Sequence, residues 1–254
     1  MKIGIISGHK IDDLLEKSER INIETPYGDI SVEIAKRRKH EIYFINRHGE
    51  KFDLPPHKVN YLANIHAFSS SHVDCIFAIG TVGSMKKNIA PGDFVIPHDF
   101  IDFTHLRNQT FCDKKRIHVD MTNPYCPSLR AILISKLKNI KGLTFHEKGI
   151  YLTTEGPRLE TASEINLFSK FSDIVGMTGV PEVVLAREKG ICYASLCIVC
   201  NMAAGLQDRL EANEISSIYS DKKLFISKVL KISIDSIDEK RECCCRKYIS
   251  KASL

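Results

Sequence analysis

The chain has 254 residues, 43% of them hydrophobic, which is enough for one globular core of α/β size. Lys and Arg number 36 against 31 acidic residues, a formal +5. That mild, dispersed excess suits a small anionic substrate and, with no basic stripe interleaved with aromatics, argues against nucleic acid. No apolar run reaches transmembrane length, and the opening MKIGIISG is too short for a signal peptide, so a cytoplasmic protein with no membrane partner is expected.

In chain order, KIGIIS (2–7) reads as a buried strand, followed by a polar turn and a helix from about Asp12. ISVEIAK (30–36) and EIYFIN (41–46) read as a pair of strands. Val59, Leu62, Ile65 and Phe68 then recur at helical spacing. DCIFAIGTVGS (74–84) is a strand expected to run into a glycine turn, and DFVIP (93–97) is another strand. SLRAILISKLKN (128–139) is an amphipathic helix, KGIYLTTEGP (148–157) a strand, and ETASEINLFSKF (160–171) a helix. DIVGMTG (173–179) is a strand feeding the helix PEVVLAREKG (181–190), with Pro181 in its first turn and Gly190 beyond its end. ICYASLCIV (191–199) is the next strand, and a last long helix covers about 211–236.

Strands alternating with helices, and apolar on both faces, predict an α/β fold: a single domain with a central mixed β-sheet flanked by helices. Residues 1–240 form that domain and 241–254 a Cys-containing C-terminal tail. Of nine cysteines, Cys192, Cys197 and Cys200 lie in the apolar strand as small hydrophobes. Cys243, Cys244 and Cys245 admit a metal site, a disulfide clip or an exposed tail. Three contiguous thiols lack zinc spacing, and no second pair follows downstream, so no metal is expected.

In such sheets ligands sit beyond the carboxyl ends of strands. SGHK (7–10) opens a helix and can favour an anion, or be a plain turn; the G-x-G-x-x-G fingerprint of a dinucleotide site is missing. NRHGEK (46–51) places Arg47 and His48 after an apolar strand, as a phosphate fork or a surface pair. GTVGS (80–84) lets backbone approach a ligand, or makes a tight turn. GMTGV (176–180) puts Thr178 before Pro181, where its hydroxyl and the first N–H groups can hold phosphate or cap the helix. TTEGPRLET (153–161) brings two carboxylates, Glu155 and Glu160: an acid–base pair as in a glycosidase, or a Glu160 favoured by a helix dipole. Finally CNMAAG (200–205) ends an apolar strand on an amide, Asn201, followed only by small or flexible residues. It is either a turn or one wall of a pocket for something flat that both donates and accepts hydrogen bonds.

The order of these motifs resembles the trimeric purine nucleoside phosphorylase and methylthioadenosine phosphorylase family. The resemblance rests on IGIISG, RHG at 47–49, PPHKVNYLANI at 55–65, PGDFVIPHDFID at 91–102 and HVDMTNPYCP at 118–127. It continues through TEGPRLET at 154–161 and GMTGVPEVVLAREKGICYAS at 176–195, so it spans nearly the whole chain. It implies phosphorolysis of a purine nucleoside to free base and a ribose 1-phosphate in a homotrimer or dimer of trimers. No metal or organic cofactor is implied; inorganic phosphate is a co-substrate. It also implies that His9, Arg47, His48, Thr178 and the Gly80-Thr81 backbone hold phosphate. Met177 would lie against the ribose, Leu159 on the purine face, Asn201 and Glu160 at the base, and His118 in a neighbouring subunit's site. Met202 and Ala203 would border the sugar 5′ substituent.

Asn201 is the expected catalytic contact, at the purine N7 region where negative charge develops as the glycosidic bond breaks. The family's 6-aminopurine members resemble one another in carrying aspartate there, whereas guanosine and inosine phosphorylases carry asparagine with a glutamate at the position of Glu160. An amide donates to O6 and accepts from a protonated N7, and a carboxylate accepts from N1–H. The expected substrates are therefore 5′-methylthioinosine, inosine or guanosine; methylthioadenosine, or a weakly catalytic nucleoside-binding role, is the alternative. The run MAAG resembles the methylthioinosine branch. Four positions depart from the family pattern: His9 where Ser or Thr is usual, Lys10 where glycine is common, Phe52 in place of a histidine, and Leu159 in place of an aromatic.

Overall fold

The computed structural model describes residues 1–209, 212–238, 241–247 and 252. Its centre is strand β5 (Cys75–Ser84), whose first half pairs in parallel with β1 (Lys2–Ser7). Strand β1 pairs in parallel with β4 (His40–Asn46), and the antiparallel strands β3 (Ile30–Arg37) and β2 (Glu19–Ile23) extend that side. The last residues of β5 pair antiparallel with β10 (Ile174–Gly176), which carries β9 (Ile150–Thr154) and β7 (Asp99–Phe103) in parallel beyond it. Strand β11 (Cys192–Met202) follows β5 in parallel along its whole length and leads on to the two-residue strands β6 (Phe94–Val95) and β8 (Phe145–His146). The sheet therefore forks at β5, and the fork opens at the carboxyl ends of β5 and β11.

A near-continuous apolar run explains why β11 is buried on both faces. Cys192, Ala194, Leu196 and Ile198 pack with helices α3 (Pro127–Lys138) and α6 (Ala212–Ile234), through Leu129, Leu133, Val229 and Leu230. Tyr193 turns to the opposite face, where α2 (Tyr61–Ser70) and α5 (Glu182–Glu188) supply Ile65, Phe68, Val183 and Leu185. Helix α4 (Ala162–Phe168) starts with a capping box: Thr161 accepts from the Glu164 N–H, and Glu164 accepts from the Thr161 N–H.

The expected single-domain α/β architecture is what forms, with local differences. GTVGS is not a turn: β5 stays extended through Gly80 and Gly83 because β11 supplies ladder partners as far as Ser84. The helix expected from Asp12 is one turn, α1 (Asp12–Leu15). The short strand β2 has only Ile21 and Ile23 as an apolar alternation; these pack against the core, and the strand is held by its ladder to β3. Of the expected 241–254 tail, residues 248–251, 253 and 254 lie outside the described residues; Cys245 is buried, Cys243 half-buried and Cys244 exposed. Among the described residues no helix is long and apolar enough to cross a membrane.

Candidate active site

A cavity of about 860 Å³ lies at the fork, lined by the ends of β1, β4, β5, β10 and β11 together with residues of α6. It gathers His9, Arg47, His48, Gly80, Thr81, Leu159, Glu160, Met177, Thr178, Asn201 and Ala203, residues separated by as much as 194 positions in the chain. Met202 and His118 are not among the lining residues. The Met202 N–H donates to Gln207 Oε1 and its carbonyl accepts from Asn201, while His118 is exposed and its N–H bonds the Ala252 carbonyl.

Asn201 owes its position to a β-bulge. The register of β11 against β5 shifts between Val199 and Asn201, so Cys200 is the extra residue and Asn201 faces Gly83. A Cβ on Gly83 would lie 3.1 Å from Asn201 Nδ2, so the glycine leaves the amide its place across the strand. One amide N–H donates to the Met202 carbonyl at 2.9 Å. Glu160 is held by the Thr154 hydroxyl, which donates to Oε1 at 2.6 Å and leaves the second oxygen as an acceptor.

Arg47 is almost fully buried. Its Nε and Nη2 donate to the two oxygens of Glu182 at 2.7 and 2.8 Å, and Nη1 donates to the Ile79 carbonyl at 2.9 Å. Tyr193 adds a hydroxyl donor to Glu182 at 2.7 Å. Burial works against the guanidinium charge, but the Glu182 carboxylate outweighs it and holds the Arg47 pKa above its ordinary value. Arg47 thus touches the cavity and at the same time clamps the end of β4 to β5 and α5.

The Nδ1 of His48 lies 2.6 Å from the Leu54 carbonyl, which can only accept, so Nδ1 carries the proton. Its opposite edge lies against Gly8, where an added Cβ would stand 3.1 Å from Nε2. His9 stacks on Tyr219 with ring centroids 3.9 Å apart. Both imidazoles titrate below their usual value. Burial is the largest cause in each; for His9 the neighbouring His48 and Arg47 add to it, and for His48 the Leu54 carbonyl opposes it.

Thr178 does not cap α5, whose N-cap is Pro181 with no side-chain cap bond, and the Tyr151 ring packs closely against Gly179. Thr178 lines the cavity at the junction of β10 and α5. Glu155 is not among the lining residues, which removes the glycosidase-like pair. It accepts from the His105 and Leu106 N–H groups and from Arg107 Nε at 2.7, 3.2 and 2.9 Å. Burial pushes its pKa up, but these donors win and hold it below the usual carboxylate value.

Three positioning groups are not among the expected site residues, although Ser7 lies within SGHK (7–10). Ser7 accepts from the His9 N–H. Tyr219 arrives from α6, far along the chain. Arg107 donates to the Tyr61 hydroxyl and to the carbonyls of Thr154, Glu155, Met177 and Val180, so it ties the ends of β9 and β10 together behind the cavity. Arg107 leaves no trace in the sequence, whereas Ser7 opens SGHK and the aromatic at 219 stands on an otherwise apolar helix stripe.

A forked mixed sheet with histidines, hydroxyls, an amide and a carboxylate around one cavity at its strand ends defines an α/β protein able to hold an anion beside a flat polar heterocycle. More particularly, the chain belongs to the phosphorylase superfamily, whose sequence profile matches residues 2–234. It is 43% identical over 257 residues to a probable 6-oxopurine nucleoside phosphorylase of Dictyoglomus turgidum, covering 99% of this chain and 97% of that one. It is also 43% identical over 256 residues to a probable S-methyl-5′-thioinosine phosphorylase of Methanopyrus kandleri, covering 100% and 99%. Among solved structures, a methylthioadenosine phosphorylase from an antarctic soil metagenomic library superposes with a TM-score of 0.93 at 31% identity, covering 99% of this chain and 92% of that one.

Proposed function

We propose that the chain is a purine nucleoside phosphorylase that cleaves 6-oxopurine nucleosides, 5′-methylthioinosine, inosine or guanosine, with inorganic phosphate. The observation that carries this reading is the convergence of the Asn201 amide and the Glu160 carboxylate on one cavity that His9, His48, Thr81 and Thr178 also line. In the reaction a phosphate oxygen bonds C1′ as the C1′–N9 bond breaks. The bonding pair passes to the purine, which takes a proton at N7 from solvent water. Asn201 accepts from that N7–H while its free amide N–H donates to O6, and the second oxygen of Glu160 accepts from N1–H. The hydrogen bond that the amide donates to O6 strengthens as negative charge builds on the base, and the proton at N7 disperses that charge. The anion-holding groups set the phosphate against C1′, where the developing positive charge on the sugar attracts it. Leu159, Met177 and Ala203 supply the apolar walls for base and sugar.

Two curated relatives with names from 6-oxopurine and methylthioinosine chemistry support the choice of base. The methylthioadenosine phosphorylase among the solved structures supports the second reading, 6-aminopurine specificity. The reaction calls for no metal or organic cofactor, takes place in the cytoplasm and returns free purine for salvage. The assembly is a homotrimer or dimer of trimers in which His118 reaches a neighbour's sugar site. The test is base release from methylthioinosine, inosine, guanosine and methylthioadenosine, each with and without phosphate. Phosphate-dependent release from the 6-oxopurines, with little from methylthioadenosine, is expected. Preference for methylthioadenosine overturns the base assignment and leaves the reaction class, whereas binding without turnover makes the protein a nucleoside-binding homologue.

A further inference from the structure

Far from the active site, at the amino-terminal end of β11, four thiols that the reaction does not use meet. Cys126 precedes α3, Cys192 is the first residue of β11, and Cys243 and Cys245 follow α6. Their four sulfur atoms all lie within 4.8 Å of one another, and Cys192 Sγ stands 3.4 Å from Cys243 Sγ. A tetrahedral metal with Zn–S bonds of about 2.3 Å places each pair of its sulfurs about 3.8 Å apart. A disulfide, in contrast, joins two sulfurs at about 2.05 Å and selects one partner from several. Here every sulfur is near the other three, the arrangement that one central ion requires.

From these distances we infer that Cys126, Cys192, Cys243 and Cys245 form a closed tetrathiolate site for a thiophilic divalent cation of the zinc class. Softness and coordination number select that class, since four thiolates in a tetrahedron leave no open position and suit a structural ion. The surroundings agree. Cys126, Cys192 and Cys245 belong to the same buried cluster as Leu129, Leu133, Leu230 and Ile234, so water is excluded. The Arg241 guanidinium lies 4.0 Å from Cys192 Sγ, where a cation offsets the net negative charge of a tetrathiolate complex. The Cys126 N–H donates to the Tyr193 carbonyl at 2.7 Å, which fixes two of the ligands relative to each other before the tail arrives. Cys243 and Cys245 come from one short C-x-C turn, with Cys244 pointing outward. The sequence expectation of no metal rested on the absence of a second cysteine pair downstream; the second pair is upstream, and only the fold joins it.

The ion would fasten the chain beyond α6 to the sheet and to α3. That same tail carries Ala252, whose carbonyl accepts from the His118 N–H, so the staple also bears on the loop that holds His118. The test uses the full chain, purified without a metal-binding tag under reducing conditions. Elemental analysis is expected to read about one zinc per chain. Replacing zinc with cobalt is expected to give the intense thiolate-to-cobalt absorption of a tetrahedral site, saturating at one equivalent. Cys245→Ser and Cys126→Ser are expected to lower bound zinc to about a tenth or less, while Cys244→Ser keeps it whole. The cobalt titration on unmodified protein does not depend on any variant folding. Absence of the charge-transfer absorption in fully reduced protein overturns the proposal. So does a non-reduced mass lighter by four hydrogens together with failure of the reduced chain to take up zinc, which would make these cysteines two disulfides.

Discussion

Under the proposed function, Asn201 would read the base through the difference between an amide and a carboxylate. An aspartate in its place can only accept while ionised, so it loses its donor to O6 and gains an acceptor for an exocyclic amino group. Asn201→Asp is expected to move the ratio of kcat/KM values for methylthioinosine over methylthioadenosine toward the aminopurine by about 10-fold or more, since a polar group left unpaired in a dry site is costly. An unchanged ratio in paired assays removes Asn201 from base selection. The two imidazoles carry a separate expectation. In the free site burial holds His9 and His48 below their usual pKa, so both are neutral at pH 7, whereas a bound dianion favours the imidazolium and raises both values in the complex. By linkage, anion affinity then rises as pH falls through the raised value and levels off below the free one. Sulfate stays a dianion over this range, so competitive inhibition by sulfate isolates the effect. It is expected to tighten about 10-fold between about pH 8 and about pH 5.5, and less steeply in His9→Asn. A flat profile would mean that neither ring faces the anion.

Arg47 and Glu182 belong to the scale of elements, because their pair joins the end of β4 to the first turn of α5. Removing one partner leaves the other a buried charge, a loss of about 3–5 kcal/mol. Denaturant unfolding of Arg47→Ala is expected to show a loss of that size, and Glu182→Gln on top of it to recover part. If Arg47→Ala unfolds at the wild-type midpoint while its phosphate KM rises sharply, the guanidinium serves the anion and the clamp is unimportant. The bulge in β11 is the second inter-element device. In Gly83→Ala the new methyl crowds Asn201 Nδ2, so the nucleoside KM is expected to rise roughly 10-fold with the phosphate KM unchanged. Equal changes in both constants would point to a general distortion of β5. Neither device is legible in the sequence. The run ICYASLCIV announces a buried strand through its apolar content, but a bulge adds no residue type of its own, and RHG looks the same whether its arginine meets phosphate or Glu182. GTVGS reads as a turn because glycine is judged locally, while the ladder that keeps it extended comes from more than a hundred residues away.

At the scale of the molecule, strand ends were legible because an α/β pattern tells where chain reversals fall, and His9, Arg47, Thr178 and Asn201 all stand at such points. What joins those ends, the fork at β5, depends on pairings between distant segments that no local pattern encodes. The same limit applies to the surface one copy offers another. Leu106 is 88% exposed and Phe103 41%, and Phe103 borders a crevice that Glu160 also lines, so exposed apolar side chains stand near the base end of the cavity. A trimer that buries this surface would close the site with a neighbour's residues, His118 among them. The Leu106 N–H and the adjacent Arg107 are fixed by Glu155, so an altered side chain at 106 acts at the surface and spares the backbone. If the proposed trimer buries this surface, Leu106→Asp is therefore expected to reduce the mass seen by light scattering from three chains to one while the thermal midpoint of each chain changes little. If subunits share the site, methylthioinosine turnover should fall at least about 10-fold in the dissociated form. His118→Ala in the intact trimer should raise the nucleoside KM without changing the mass. A monomer with full activity on methylthioinosine would show that each chain's cavity is complete, and His118 would then belong to the surface alone.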